Sequence, residues 1–198
     1  MKKRAVFLDR DGTINAMVYN REHGLVDSPA NPEELRLLPR AAEGVNLIHR
    51  LGFQVVIVSN QPGIAKGKFT PALLQAITDK MVEELSAAGA YLDAIYYCMH
   101  HPEGVVDEFR KVCDCRKPKT GLLLQAAADL DIDLERSYMV GDGITDLLAG
   151  QAAGTTNILI FASSKLYLSE ELENYAVQPD YIVKNIGEAA ELIEKLEH

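Results

Sequence analysis

Three acidic side chains follow short apolar runs that have the composition of buried strands. Asp9 and Asp11 stand two residues apart, directly after the run 5–8. Asp142 follows a second apolar run, 137–140, and has a glycine on each side. Converging carboxylates repel one another unless a cation lies among them, and Mg²⁺ prefers oxygen ligands while it keeps room for water and phosphate. The three acids therefore predict a magnesium–phosphate site; solvated loop acids or helix caps are the alternative.

Phosphoryl transfer needs more than a metal. It requires a nucleophile, positive charge near the transferred oxygens and a proton for the leaving oxygen. A carboxylate such as Asp9 can attack phosphorus and form an aspartyl phosphate. Asp11 can protonate the leaving group and then take a proton from water. Arg116 and Lys117 can supply the positive charge, although solvated surface charges are the alternative for both.

A second group of metal-binding side chains lies between positions 98 and 115. This window holds all three cysteines of the chain, with His100 and His101 beside the first of them. In a reducing compartment, such clustering favours metal over a disulfide. Three cysteines and one histidine form a closed tetrahedral zinc site of the structural type; three unrelated thiols are the alternative. Because Arg116 and Lys117 follow Cys115 directly, we expect zinc to fix the loop that carries them.

The elements that precede these residues must bring them together. Short apolar runs alternate with amphipathic segments, which is typical of βαβ units in a parallel sheet with helices on both faces. Ligand sites in such sheets lie beyond the carboxyl ends of the strands, so Ser59 and Asn60 should meet the acids in one crevice. We predict strands at 5–8, 53–58, 94–97, 137–140, 157–161 and 181–183, helices at 41–51, 71–88, 120–130, 145–153 and 186–196, and a long loop over 16–39.

Length, composition and charge limit the class of protein, the partners and the location that are compatible with this chemistry. The 198 residues fit a single domain over 1–198 with the composition of an ordinary soluble protein. The net charge of −9 disfavours nucleic acid and anionic membrane as partners. No apolar run reaches the length of a membrane span. The basic start 1–4 is followed by an apolar stretch that ends at Asp9, too short for a signal peptide, so we expect a cytoplasmic protein.

Four segments, DRDGT, VSNQ, CRKPK and VGDGITD, resemble in order and spacing the four motifs of the haloacid dehalogenase superfamily. The longer segments FLDRDGTIN, SNQPGIAKGKFT, YYCMHHP and CDCRKPKTG are similar to those of the heptose 1,7-bisphosphate 7-phosphatases and the related histidinol-phosphate phosphatases. The resemblance implies an α/β fold: a Rossmann-like, doubly wound parallel sheet with the first strand central, no large cap domain, and a zinc-binding loop at about 98–118.

The resemblance also implies a role for each matching residue. Asp9 would be the nucleophile and a magnesium ligand. Asp11 would be the general acid/base and would bind magnesium through its backbone carbonyl. Ser59 would hydrogen-bond the phosphoryl group, Lys117 would neutralise its charge, and Asp142 would complete the magnesium shell. The implied ligands of structural zinc are Cys98, His100, Cys113 and Cys115.

Basic residues near these motifs could hold a second phosphate group of a substrate. The resemblance implies that Arg116 helps to recognise the substrate, and we expect Asn60 and Lys66 to contact it as well. A solvated turn is the alternative for Lys66. The local positive set within this acidic chain consists of Arg10, Lys66, Lys68, Arg116, Lys117 and Lys119.

Taken with the resemblance, these residues predict a Mg²⁺-dependent phosphatase that acts on a small phosphorylated sugar. The expected reaction removes the 7-phosphate of D-glycero-D-manno-heptose 1,7-bisphosphate, on a route to lipopolysaccharide or another surface glycan, and the expected enzyme is a monomer. Histidinol phosphate or another small sugar phosphate is the alternative substrate. The basic residues beside the motifs disfavour the ammonium group of histidinol phosphate, whereas the acids Asp27, Glu33 and Glu34 in the long loop leave it open. A zinc-stabilised binding module without catalysis is a further alternative, which the presence of all three acids disfavours.

Overall fold

Six parallel strands form the central sheet of the computed structural model, which describes residues 2–20, 24–161 and 167–198. The described chain shows no large cap domain, as expected. In their order across the sheet, the strands are β5 (Ala94–Cys98), β4 (Gln54–Asn60), β1 (Ala5–Leu8), β6 (Tyr138–Gly141), β7 (Thr156–Ile160) and β8 (Tyr181–Val183).

The strand β1 lies at the centre because its side chains are apolar on both faces. All four of its residues are buried, which is the pattern of an interior parallel strand. It pairs with β4 on one side and β6 on the other, with Leu8 opposite Ile57 and Val140. The carboxyl ends of these three strands therefore finish side by side.

Helices cover both faces of the sheet, which confirms the predicted doubly wound fold. Val6 and Leu8 share one core cluster with residues of three helices, and Ala5 and Phe7 share a second cluster with residues of two others. The helices of the first face are α1 (Ala41–Arg50), α2 (Pro71–Ala87) and α6 (Ile186–Glu197). Those of the second face are α3 (Gly121–Leu130) and α4 (Ile144–Ala153). None of the helices in the described ranges is long and apolar enough to cross a membrane.

Two elements depart from the predicted pattern. The segment predicted as a loop over 16–39 contains an antiparallel hairpin of β2 (Val18–Asn20) and β3 (Leu25–Asp27), while residues 21–23 lie outside the described part. Leu25 and Val26 are both exposed, so the hairpin lacks the alternation of buried and exposed residues by which strands are recognised. A helix, α5 (Tyr167–Asn174), was also not predicted.

Adjacent leucines of α3 provide a matched test of this packing. Leu123 is fully buried against the sheet, whereas Leu124 is 51% exposed. We expect Leu123→Ala to lower the free energy of unfolding by about 2–5 kcal/mol, because it leaves a cavity in the core. The control Leu124→Ala should change it by less than about 0.5 kcal/mol. Equal effects in urea denaturation would contradict the assignment of the buried face.

Candidate active site

The crevice lies where the three central strands end. Asp9 follows β1, Ser59 and Asn60 close β4, and Asp142 follows β6. The backbone N–H of Asp9 donates to the carbonyl of Val140, at 3.0 Å, which continues the pairing of β1 with β6 to the edge of the site. The structure therefore brings together the polar strand ends that the sequence predicts.

Three carboxylates converge in this crevice. One oxygen from each of Asp9, Asp142 and Asp146 lies within 4.8 Å of the others. The sequence analysis missed Asp146 as a member of the site, although it belongs to the motif VGDGITD and follows Asp142 by four residues. It stands in the first turn of α4, where its carboxylate accepts a hydrogen bond from the Gly143 N–H at 3.0 Å.

Lys117 provides the positive charge inside the crevice. Its ammonium group is buried and lies 2.5 Å from Asp146 Oδ1 and 3.0 Å from Asp9 Oδ1, and it donates to the Val58 carbonyl at 2.7 Å. Burial opposes the charged form, but the charges of Asp146 and Asp9 raise the pKa of Lys117 above its usual value. The ammonium group is therefore held charged beside the proposed nucleophile.

The charges of this cluster do not balance among the residues themselves. Burial, opposed by Lys117 but reinforced by the charges of Asp9 and Asp142, raises the pKa of Asp146 to about 7. Three carboxylates and one ammonium group leave an excess of negative charge in this cluster. A hard divalent cation with oxygen ligands, such as Mg²⁺, fits this donor set.

The Asp11 side chain lies outside this group of three acids. Its carboxylate accepts hydrogen bonds from Arg10, Asn15, Ser28 and Gln61. A magnesium contact through the Asp11 backbone carbonyl stays a prediction. Arg10 is fully buried, with Gln61 and the ring of Tyr97 as further partners. This guanidinium group is thus engaged inside the protein, although the sequence analysis grouped it with residues that could bind phosphate.

Ser59 and Asn60 differ in what they contact. The Ser59 hydroxyl oxygen accepts a hydrogen bond from Gln61 Nε2 at 3.2 Å, so its own hydrogen can point toward the crevice. Asn60 holds the backbone of Lys117 at both ends of its amide: Oδ1 accepts from the Lys117 N–H and Nδ2 donates to the Lys117 carbonyl, each at 3.0 Å. Asn60 therefore positions Lys117, and its contact with substrate stays a prediction.

The predicted zinc ligands form one compact cluster. Cys98 Sγ lies 3.1 Å from Cys115 Sγ and 3.5 Å from Cys113 Sγ, and His100 Nδ1 lies 3.4 Å from Cys115 Sγ. Four ligands around tetrahedral zinc stand roughly 3.5–3.8 Å apart, so this donor set fits the ion. The sulfur separations exceed a disulfide bond, and all three thiols are free. His101 is not part of the cluster.

Positive side chains gather beside the zinc loop. Partial burial and then the charges of Arg116 and Lys66 lower the pKa of His101. Arg116 Nη1 is buried and has no hydrogen-bond partner among the described residues. Lys68 and Lys119 instead form ion pairs with Asp27 and Asp114. Fewer basic side chains than predicted are therefore available to bind phosphate on this side of the crevice.

Residue 12 must lack a Cβ atom so that Asp142 can converge with Asp9 and Asp146. Its φ of +84° suits glycine, and an added Cβ would lie 1.8 Å from Asp142 Oδ2. We expect Gly12→Ala to displace Asp142 and weaken Mg²⁺ binding roughly 10- to 100-fold, as measured by calorimetric titration. Gly52 has a φ of +81° with no atom within 4 Å of the added Cβ, so Gly52→Ala has the same backbone strain without the clash. Similar Mg²⁺ affinities in the two variants would contradict this prediction.

Comparison with known proteins gives relatives along nearly the whole chain. A family model described as "HAD-hyrolase-like" matches residues 114–189. The D-glycero-beta-D-manno-heptose-1,7-bisphosphate 7-phosphatase of Escherichia coli (strain K12) is 41% identical over 191 residues, which cover 96% of this chain and 94% of that protein. The enzyme of the same name from Pasteurella multocida (strain Pm70) is 38% identical over 194 residues, or 98% of each chain.

A solved structure agrees with these relatives. The D,D-heptose 1.7-bisphosphate phosphatase from B. bronchiseptica, complexed with magnesium and phosphate, superposes with a TM-score of 0.80 and 29% identity over 98% of this chain and 99% of that one. The fold, the motifs and the near-complete coverage of the enzymes lead to one conclusion. The chain belongs to the D-glycero-beta-D-manno-heptose-1,7-bisphosphate 7-phosphatase family of HAD-like hydrolases.

Proposed function

We propose that this phosphatase removes the 7-phosphate of D-glycero-D-manno-heptose 1,7-bisphosphate in a Mg²⁺-dependent reaction. The observation that carries the proposal is the convergence of Asp9, Asp142 and Asp146 around Lys117, with Asp11 at the same strand end. The relatives that share nearly the full chain are named for this substrate. Asp9, Asp142 and Asp146 would hold the metal, which when bound draws charge from the phosphoryl oxygens.

In the first half of the reaction, the Asp9 carboxylate attacks phosphorus. The bond between phosphorus and the sugar oxygen breaks, and its electron pair stays on that oxygen. Asp11 donates a proton to the same oxygen, so the sugar leaves as an alcohol. Lys117 offsets the charge of the phosphoryl group, and the Ser59 hydroxyl donates a hydrogen bond to it. The product on the protein is an aspartyl phosphate at Asp9.

In the second half, water replaces Asp9 on phosphorus. Asp11, now a carboxylate, takes a proton from the water as the oxygen attacks. The bond between phosphorus and the Asp9 oxygen breaks, which restores the Asp9 carboxylate and releases inorganic phosphate. One acidic group thus performs both proton transfers, and it ends the cycle protonated, as it began.

A second phosphate needs positive charge away from the metal. The charges of Arg116 and Lys66 both act on His101, and Arg116 Nη1 has no partner among the described residues. We place the 1-phosphate of the substrate against Arg116 and Lys66. Since Arg116 and Lys117 are neighbours in sequence, one loop would hold both ends of a bisphosphate.

Two of the three acids that could favour histidinol phosphate, Asp27 and Glu34, are already engaged. The Asp27 carboxylate pairs with Lys68, and the Glu34 carboxylate accepts hydrogen bonds from the Ala30 N–H and from Asn31. A substrate ammonium group would have to compete with these partners. These contacts favour the sugar bisphosphate. A single phosphatase domain over 1–198 and a cytoplasmic location stay predictions. The monomeric state stays a prediction.

The decisive experiment compares kcat/KM for heptose 1,7-bisphosphate and for histidinol phosphate with Mg²⁺ present. We expect the bisphosphate to lead by at least about tenfold, since only it engages both the metal site and Arg116. Asp9→Asn should abolish turnover of either substrate and preserve the fold by circular dichroism. A tenfold lead for histidinol phosphate would overturn the substrate, and turnover by Asp9→Asn would overturn the nucleophile.

Zinc, as we propose it, positions the catalytic loop and takes no part in the chemistry. Cys98 closes β5, its carbonyl accepts from the Gln61 N–H at 2.7 Å, and Cys115 precedes Arg116 and Lys117 directly. Cys113→Ser should therefore lower both the melting temperature and kcat, while Mg²⁺ affinity changes little.

The exposed neighbour of Cys113 supplies the control for this variant. Val112 is 75% exposed, so Val112→Ser should leave the zinc content, the melting temperature and kcat unchanged. Zinc content can be measured by mass spectrometry on each preparation. A zinc-free preparation of the Cys113→Ser variant with full activity would contradict the positioning role.

A further inference from the structure

We infer that Ser28 is a positioning residue for Asp11, whose carboxyl group it holds by a hydrogen bond from the segment after the β2–β3 hairpin. The inference rests on the proposed function, in which Asp11 gives up a proton and takes one back. Ser28 follows the β2–β3 hairpin and belongs to none of the motifs that carry the family resemblance. Its hydroxyl oxygen lies 2.9 Å from Asp11 Oδ2.

Among the described residues, four side chains donate to the Asp11 carboxylate. Asn15 Nδ2 reaches Oδ1 at 2.8 Å and Gln61 Nε2 reaches Oδ2 at 2.8 Å, while Arg10 Nη2 lies 3.0 Å from both oxygens. Ser28 is the fourth donor. Both oxygens of the Asp11 carboxyl group are thus held by a fixed ring of donors.

Three of these donors belong to the motif segments, since Arg10 and Asn15 lie in FLDRDGTIN and Gln61 lies in SNQPGIAKGKFT. The Gln61 amide is fixed in orientation because its Oε1 accepts from Arg10, and Asn15 Nδ2 also donates to the Ala16 carbonyl. Among these four donors, Ser28 alone approaches the Asp11 carboxyl group from the segment after the β2–β3 hairpin. This contact therefore ties the position of the Asp11 carboxyl group to the hairpin.

The hairpin holds Ser28 at the wall of a cleft beside the crevice. The Ser28 N–H donates to Asp27 Oδ1 at 2.9 Å, and Asp27 pairs with Lys68 of the loop after β4. Ser28 and these two residues line a cleft of about 520 Å³ together with Tyr19 and Phe69. Ser28 thus joins the wall of this cleft to the Asp11 carboxyl group.

The dependence of kcat/KM on the leaving group distinguishes positioning of Asp11 from a purely structural role of Ser28. The oxygen of an aliphatic sugar leaves as a strong base and needs the proton of Asp11, whereas p-nitrophenolate leaves without one. For both ester types, kcat/KM reports the steps up to formation of the aspartyl phosphate. Loss of Asp11 alignment should therefore lower kcat/KM for the sugar ester and leave that for the aryl ester nearly unchanged.

The test measures kcat/KM of Ser28→Ala on heptose 1,7-bisphosphate and on p-nitrophenyl phosphate. We expect a loss on the order of tenfold for the bisphosphate and less than about twofold for the aryl ester. Ser28→Thr keeps a hydroxyl and should restore the bisphosphate rate, whereas Ser28→Val has the same shape without it and should not. This matched pair decides the question even if Ser28→Ala is poorly folded.

Thr70→Ala is the control for general loss of stability. It removes the cap contact between the Thr70 hydroxyl and the Leu73 N–H at the start of α2, away from Asp11, and should affect both esters alike. Equal losses on the two esters in Ser28→Ala and Ser28→Val, or no loss on either, would overturn the role of Ser28. If the wild-type enzyme prefers histidinol phosphate, the proposed substrate fails but the comparison stands, because that ester also has an aliphatic leaving group.

Discussion

Mutual repulsion among three converging carboxylates is the constraint that organises this protein. Asp9, Asp142 and Asp146 bring their oxygens within 4.8 Å of one another in a crevice where Asp142 and Asp146 are buried. Repulsion of this kind is costly in a medium of low dielectric constant unless positive charge offsets it. Lys117 supplies one charge, and the divalent cation that we propose supplies the rest. The same excess of negative charge draws in the metal that phosphoryl transfer requires.

The rest of the structure holds the three carboxylates and Lys117 in fixed relative positions. Parallel pairing of β1 with β4 and β6 aligns the strand ends, and the bare backbone of Gly12 leaves room for the Asp142 carboxylate. Asn60 fixes the Lys117 backbone from one side, and the Cys/His cluster restrains the same segment from the other. Two independent anchors thus hold a buried lysine whose long side chain would otherwise have several rotamers.

Features of the fold and the site that depend on a few neighbouring residues could be predicted from the sequence. Four consecutive apolar residues predicted β1, and the grouping of Asp9 with Asp142 and of the four predicted zinc ligands followed from motifs a few residues long. Asp146 was missed because an acid in the first turn of a helix is as readily explained by capping as by a metal site. Arg10 shows the converse limit, since an arginine between two acids gives no sign that it turns inward to pair with Asp11 and Gln61. The hairpin contact of Ser28 depends on residues distant in sequence and has no local signal.

Anomalous diffraction from crystals grown with Mn²⁺, a close substitute for Mg²⁺, tests the central claim most directly. The account predicts one manganese peak in the crevice, within coordination distance of carboxylate oxygens of Asp9, Asp142 and Asp146, with Lys117 still against Asp146. A peak bound by the Asp11 side chain, or none near these acids in an active enzyme, would contradict it.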